Sequence, residues 1–215
     1  STKGDGLYQP SSKYCLVCFE PKNFGILEVL FYEDPICGMC RKDLKAKNLK
    51  VVIDGIVIKG IYVYEEGTRT LVIRYKEAFD ELLYKIFLHP IKLKLQFFLN
   101  DYILIPLPTT KLSLERRTFD HMGLIAATSG LEILDDVLVK SPSPKQSMQT
   151  LEDRSKVSQY FHLREPERVR GKKVILMDDV VTTGASISAC YELLKPYCKR
   201  IKVIVVCIHP LLLLS

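Results

Sequence analysis

The 215-residue chain has no apolar run approaching the roughly 20 residues that cross a bilayer; Leu211 to Leu214 is far too short. No secretory signal is read at its start, where the first dozen residues from Ser1 read as a floppy lead. These absences set the expectation of a cytoplasmic protein with no membrane span. No internal repeat is visible, and no short motif marks a nucleobase pocket or a general base, so the catalytic residues are unknown from sequence. The length allows one α/β domain plus a small module. The 47% hydrophobic and 26% charged content is ordinary for a globular chain.

The formal net charge is +6, in itself a weak sign of an anionic partner. Its distribution says more: Arg41, Lys42, Lys45, Lys47 and Lys50 lie within ten residues, opposed only by Asp43. A phosphate-contacting patch and a plainly solvated face both fit this run.

Four of the seven cysteines form two CxxC pairs, Cys15 with Cys18 and Cys37 with Cys40, separated by eighteen residues. Each pair puts two thiolates on one turn, and the spacing suits a four-cysteine zinc site. Disulfides are the alternative, but without an export signal metal is favoured. Four thiolates leave no open coordination position, so Zn²⁺ here is structural, and folding of residues 13 to 43 depends on it. The expected organisation is a four-cysteine module over 13–50 and an α/β domain over 51–215. Cys190, Cys198 and Cys207 read as small core or surface residues.

Past the module, Val51 to Ile53 and Ile56 to Tyr64 read as a hairpin broken by Gly55 and Gly60. Residues 68 to 88 read as one helix, with Leu71, Tyr75, Phe79, Leu82, Leu83 and Ile86 on its apolar face. Ile91 to Leu99 is a further apolar, lysine-bearing stretch. Tyr102 to Leu107 reads as a strand, Thr118 to Gly130 as a helix, Val137 to Val139 as a short strand, and Val157 to Leu163 is ambiguous. Buried strands at Val174–Met177 and Ile201–Ile208 flank a helix over 185–195. Alternating strands and helices imply a mainly parallel sheet, whose ligands sit beyond the carboxyl ends of strands.

The densest chemistry is at 174–186. Four apolar residues run into Asp178 and Asp179, then Val180-Val181, then Thr182-Thr183-Gly184-Ala185-Ser186 at a helix start. Helix-start amides without partners form an anion site. Gly184 lets the backbone approach a ligand, and Thr182, Thr183 and Ser186 add hydroxyl donors. Carboxylates would repel a phosphate, so Asp178 and Asp179 suit hydroxyls of a polyol. The plain alternative is a strand ending in acidic residues that cap a helix.

This pattern resembles the phosphoribosyl-pyrophosphate (PRPP) loop of type I phosphoribosyltransferases. Together with the cysteine pairs it is similar to the ComF (ComFC) family of bacterial DNA uptake and natural transformation. The likeness runs from Cys15 to about Ile208, through Tyr64, Arg74-Tyr75-Lys76 with Asp80, and Ile105-Pro106-Leu107-Pro108 with Lys111. It continues through Arg116 to His121, Lys145-Gln146-Ser147, Arg154 and Phe161. Family members commonly carry Arg-Gly-Phe-Asn-Gln where this chain has Arg117-Thr118-Phe119-Asp120-His121, so only Arg116 and Arg117 are carried over from that segment. His121 reads as a surface or local hydrogen-bonding residue.

The resemblance implies a type I phosphoribosyltransferase-like sheet with an N-terminal zinc ribbon. It implies PRPP at Asp178, Asp179 and Thr182 to Ser186, with Mg²⁺ accompanying the PRPP. Pyrophosphate contacts would fall to Thr109, Thr110, Lys111, Arg116 and Arg117. It further implies a DNA-uptake factor that binds single-stranded DNA, with contacts from the 41–50 basic run, and works with a competence helicase. A phosphoribosyltransferase of nucleotide metabolism with an unidentified acceptor is the alternative, and a scaffold with a vestigial loop a third reading.

Overall fold

A computed structural model describes residues 13–22, 34–109, 119–141 and 157–214. The chain divides into two compact units, Ser1–Lys45 and Ala46–Ser215.

In the smaller unit the first CxxC is a tight turn. The Cys15 N–H donates to the Glu20 carbonyl and the Phe19 N–H to the Cys15 carbonyl, both at 2.9 Å, with Phe19 at a left-handed φ of 63°. The second CxxC opens helix α1 (Gly38–Leu44). The Cys37 sulfur caps it by accepting from the Cys40 N–H. Lys45 closes it in the left-handed region, donating its N–H to Arg41.

The larger unit begins with β1 (Leu49–Ile53) and β2 (Ile56–Val63), so Lys47 and Lys50 go with it and not with the cysteines. They form the expected antiparallel hairpin around Asp54 and Gly55, both at positive φ (51° and 76°). That pattern is a two-residue turn matched to strand twist. Gly60 does not break β2. It lies within the strand because a Cβ there would meet Ile208 Cγ1 at 2.5 Å.

Helix α2 (Glu66–Glu77) starts with a capping box between Glu65 and Thr68. The single helix expected over 68–88 is divided instead. Phe79 takes a φ of 57°, the Asp80 N–H turns back to the Arg74 carbonyl, and the Arg74 guanidinium pairs with the Asp80 carboxylate at 2.6 Å. Those closures end α2, so Phe79 and Leu82 are exposed rather than on a buried face. Two short helices follow, α3 (Tyr84–Phe87) and α4 (Lys92–Phe98).

Next come β3 (Tyr102–Pro106), α5 (His121–Ala127), β4 (Glu132–Ile133), β5 (Leu138–Lys140) and β6 (Phe161–Leu163). The last elements are β7 (Lys173–Val181), α6 (Ala185–Leu194) and β8 (Arg200–Ile208). Helix α5 is shorter than the 118–130 reading because Asp120 caps it by accepting from the Met122 N–H. The ambiguous 157–163 stretch resolves into a short 3-10 turn leading into β6.

The main sheet has six strands in the order β1-β2-β8-β7-β3-β4, all pairs parallel except β1–β2. Strands β5 and β6 form a separate antiparallel pair. Every residue of β3 is buried, as are Val174 to Met177 of β7. Such continuous apolar runs are what a sheet covered on both faces requires. The core cluster joins Ile58, Val174, Leu176, Val203 and Val205 to Ile187, Cys190 and Leu194 of α6. This packing fixes α6 against the sheet, with its first turn at the carboxyl end of β7.

Candidate functional site

The 182–186 loop has the geometry of an anion cradle. Gly184 precedes α6 at φ 77°, and a Cβ there would sit 2.8 Å from Ile53 Cδ1, so the loop tolerates only glycine without shifting the hairpin. Ser188 Oγ donates to Asp54 Oδ2 at 2.9 Å, tying α6 to the same hairpin turn. The Ala185 N–H donates weakly to Thr183 Oγ1 at 3.4 Å. Among the described residues, the amides of Thr182, Thr183, Gly184 and Ser186 have no partner. Thr182 and Thr183 are exposed, and Ala185 and Ser186 half-buried.

The two acids are not equivalent. Strand β7 runs to Val181, so Asp178 and Asp179 are successive strand residues with side chains leaving on opposite faces. Asp179, 9% exposed, is bound to the Lys76 ammonium from α2 and to His121 Nε2 from α5 at 3.1 Å. Burial works against its charge, but the His121 hydrogen bond and the Lys76 charge outweigh that and hold its carboxyl well below the usual carboxylate range. Asp178 lies toward Lys140 of β5 and Cys190 of α6. Burial first, then the Asp179 charge, push its carboxyl up to about 7. One Asp178 oxygen accepts the Asp179 N–H at 2.9 Å, and among the described residues Asp178 has no cation in ion-pair contact.

His121 is therefore a buried partner of Asp179, 3% exposed, and not a helix-surface residue. Tyr75 fixes its backbone: the phenol donates to the His121 carbonyl at 2.6 Å, inside a ring cluster with Phe87 and Phe119. Sequence reasoning did not assign Lys76 and His121 to Asp179. They lie 103 and 58 residues away in the chain, and no local pattern links them.

Of the expected pyrophosphate residues, Thr110, Lys111, Arg116 and Arg117 lie outside the described residues. Thr109 is half-buried at a cavity of about 470 Å³, which Pro106, Asp120, Lys140 and Arg164 also line. Lys140 and Arg164 are thus cations at the carboxyl end of β3 that the sequence did not single out. In the basic run, Arg41 is committed to Asp34 through bonds of 2.9 and 2.5 Å. Lys42, Lys45, Lys47 and Lys50 are exposed.

In the smaller unit the sulfurs of Cys15, Cys18, Cys37 and Cys40 lie within 4.8 Å of one another. The Cys18 and Cys37 sulfurs are 3.8 Å apart, far beyond a disulfide bond. Zinc–sulfur bonds of about 2.3 Å in a tetrahedron put sulfurs about 3.8 Å apart, so the donor set fits Zn²⁺. Burial opposes a thiolate at Cys15, but backbone amides at Cys18, Cys37 and Val17 donate to its sulfur and bring it down to about 6. The Cys40 N–H likewise meets Cys37 Sγ at 3.5 Å.

Residues 121–211 match the family described as phosphoribosyl transferase domain. The larger unit is accordingly a phosphoribosyltransferase-like α/β domain with a mostly parallel sheet. The chain resembles a ComFC protein over about two thirds of its length. It is 26% identical over 141 residues to Competence protein ComFC of Streptococcus pneumoniae (strain ATCC BAA-255 / R6), over 66% of this chain and 63% of that protein. The match thus spans a little under two thirds of that relative's length. Among solved structures, a hypoxanthine phosphoribosyltransferase from Staphylococcus aureus is similar at 11% identity and TM-score 0.35, over 54% of this chain and 57% of that one. One from Trypanosoma cruzi is similar at 13% identity and TM-score 0.35, over 74% of this chain and 67% of that one. Among the described residues, no helix is long and apolar enough to cross a membrane.

Proposed function

We propose that the chain is a cytoplasmic DNA-uptake factor that binds single-stranded DNA and PRPP and works with a competence helicase. The observation that carries the PRPP part is the loop itself: among the described residues, the amides of Thr182, Thr183, Gly184 and Ser186 are open and Asp178 has no cation in ion-pair contact. The amides and the Thr182, Thr183 and Ser186 hydroxyls hold the 5′-phosphate. Asp178 accepts from a ribose hydroxyl. Asp179, already bound to Lys76 and His121, fixes the strand end from the opposite face. In this reading the pyrophosphate falls to Lys140 and Arg164, which line the cavity beside Thr109. Mg²⁺ bound with PRPP supplies neutralising charge for the pyrophosphate, and Asp178 is the carboxylate with oxygen available to it. The ComFC likeness supports the DNA-uptake role.

Titration of the full chain with PRPP and Mg²⁺ by calorimetry tests the loop. Binding that Gly184→Val and Ser186→Ala both weaken is expected; binding indifferent to both refutes the assignment. Affinity for single strands should fall with salt at a log–log slope of about −0.7 per neutralised phosphate.

The phosphoribosyl transferase match over 121–211 favours a second reading, a transferase in which an acceptor displaces pyrophosphate from ribose C1. Incubation with PRPP, Mg²⁺ and a panel of bases separates the two. Robust pyrophosphate release selects the transferase; tight PRPP binding without turnover selects the DNA-uptake factor.

A further inference from the structure

A groove of about 600 Å³ lies on the larger unit between α4 and strands β2 and β8. Its floor is apolar, from Val57, Ile61, Leu95 and Ile204. Lys47, Lys59, Lys94 and Lys202 stand around it, and no acidic residue lines it. Phe98, 77% exposed, forms part of the wall, and Phe97 beside it is 73% exposed. Along β2, Val57, Lys59 and Ile61 alternate with Ile58, which packs in the core cluster with Ile187 and Leu194 of α6. The groove is therefore on the opposite face of the sheet from α6 and its phosphate loop. Among the described residues, Lys47, Lys59, Lys94 and Lys202 take part in no ion pair within contact distance; the Lys202 ammonium lies 4.5 Å from the Tyr102 ring centroid and its charge reaches Asp101.

We infer that this lysine-ringed groove is where the chain holds single-stranded nucleic acid, with bases against Phe97 and Phe98 and the phosphate backbone along the lysines. The inference rests on the single-strand reading above and gives it a place that shares only Lys47 with the 41–50 run. Two features select this occupant. Four ammonium groups without a lining carboxylate need an anion of several charges. An apolar floor with the exposed Phe98 ring on its wall, and the exposed Phe97 ring next to it in the chain, needs flat apolar groups, and a single strand offers both these and phosphates at every residue. A duplex keeps its bases stacked on one another and cannot use the rings. An acidic protein segment satisfies the lysines but has no comparable need of two adjacent exposed phenyl rings.

The test uses the full chain and a fluorescein-labelled oligothymidylate of about 20 nucleotides, longer than the roughly 4–16 one such platform covers. Anisotropy is read across a salt series. Lys59→Glu with Lys94→Glu should weaken binding at least ~tenfold and flatten the log–log salt slope by about 1.4, two phosphates' worth. Phe98→Ala should weaken it by about tenfold and leave the slope unchanged, because stacking releases no counterions. Lys172→Glu, at an exposed lysine outside the groove, should bind as the parent does. Thermal melts of each variant establish that the larger unit is folded.

If the groove variants bind like the parent while Lys42→Glu with Lys45→Glu loses binding, the groove is refuted and the single-strand reading stands. If the parent binds no oligothymidylate but a polyglutamate peptide, both fall and the groove belongs to an acidic protein. Equal affinity for a duplex of the same length overturns the stacking.

Discussion

Replacing Asp178 by asparagine should make the protein more stable at pH 8 while stripping it of PRPP affinity. The native state holds the Asp178 proton because burial and the adjacent Asp179 charge oppose ionisation, and its carboxyl titrates at about 7 rather than 3.8. A rise of that size corresponds to roughly 4 kcal/mol. Asp178 is half-buried near the carboxyl end of β7, so solvent screening reduces the figure to about 2 kcal/mol. The sign follows from proton binding. Between the unfolded value near 4 and the native value near 7 the folded chain carries more of this proton, so parental stability falls as pH rises through that window and levels off above it.

Asparagine does not titrate, so the variant lacks this slope. Urea unfolding followed by circular dichroism at pH 4.5, 6, 7 and 8 measures it. The stability gap between Asp178→Asn and parent should be small at the lowest pH and open to about 2 kcal/mol by pH 8. Groups that do not feel the Asp178 charge titrate equally in both proteins and cancel in the difference, and Asp179, held well below the usual carboxylate range, stays ionised across this series. A gap that stays constant across the series would refute the raised carboxyl. Calorimetry on the same variant should show PRPP binding lost, which ties the destabilising acid to the ligand.

Two further outcomes follow from the other elements. The four-thiol cluster should bind one Zn²⁺ per chain, and Co²⁺ in its place should give the visible absorption of a tetrahedral thiolate site. Cys40→Ser should abolish that spectrum, and a chelator should unfold the smaller unit; an unchanged spectrum excludes the cluster. Gly60→Ala should cost about 1–3 kcal/mol through overpacking against Ile208. Adding Ile208→Ala, which removes both crowding atoms, should make the two changes non-additive in a double-mutant cycle; strict additivity would mean the strand yields without touching Ile208.

Local chemistry alone specified much of this molecule. CxxC spacing brings sulfurs together because each pair sits on one turn. Asp54-Gly55 closes a hairpin because both residues reach positive φ. Val174 to Met177 reads as a buried parallel strand because nothing in it needs water, and a glycine followed by a helix start leaves amides free wherever it occurs. Where the backbone was steered by a partner, the sequence pattern misled. The apolar spacing from Leu71 to Ile86 promised one helix until the Asp80 amide and carboxylate turned back to Arg74.

Only the tertiary structure decided that the twin acids differ. The two side chains have the same composition and ordinary pKa, so neither carries a local mark. Lys76 and His121, distant in sequence, converge on Asp179 through the packing of α2 and α5 on the sheet. Asp178, on the opposite face, has no cation in ion-pair contact among the described residues, and its carboxyl is pushed up to about 7. Charge in a low-dielectric interior is settled by which groups lie within a few ångströms, and that proximity is a property of the fold.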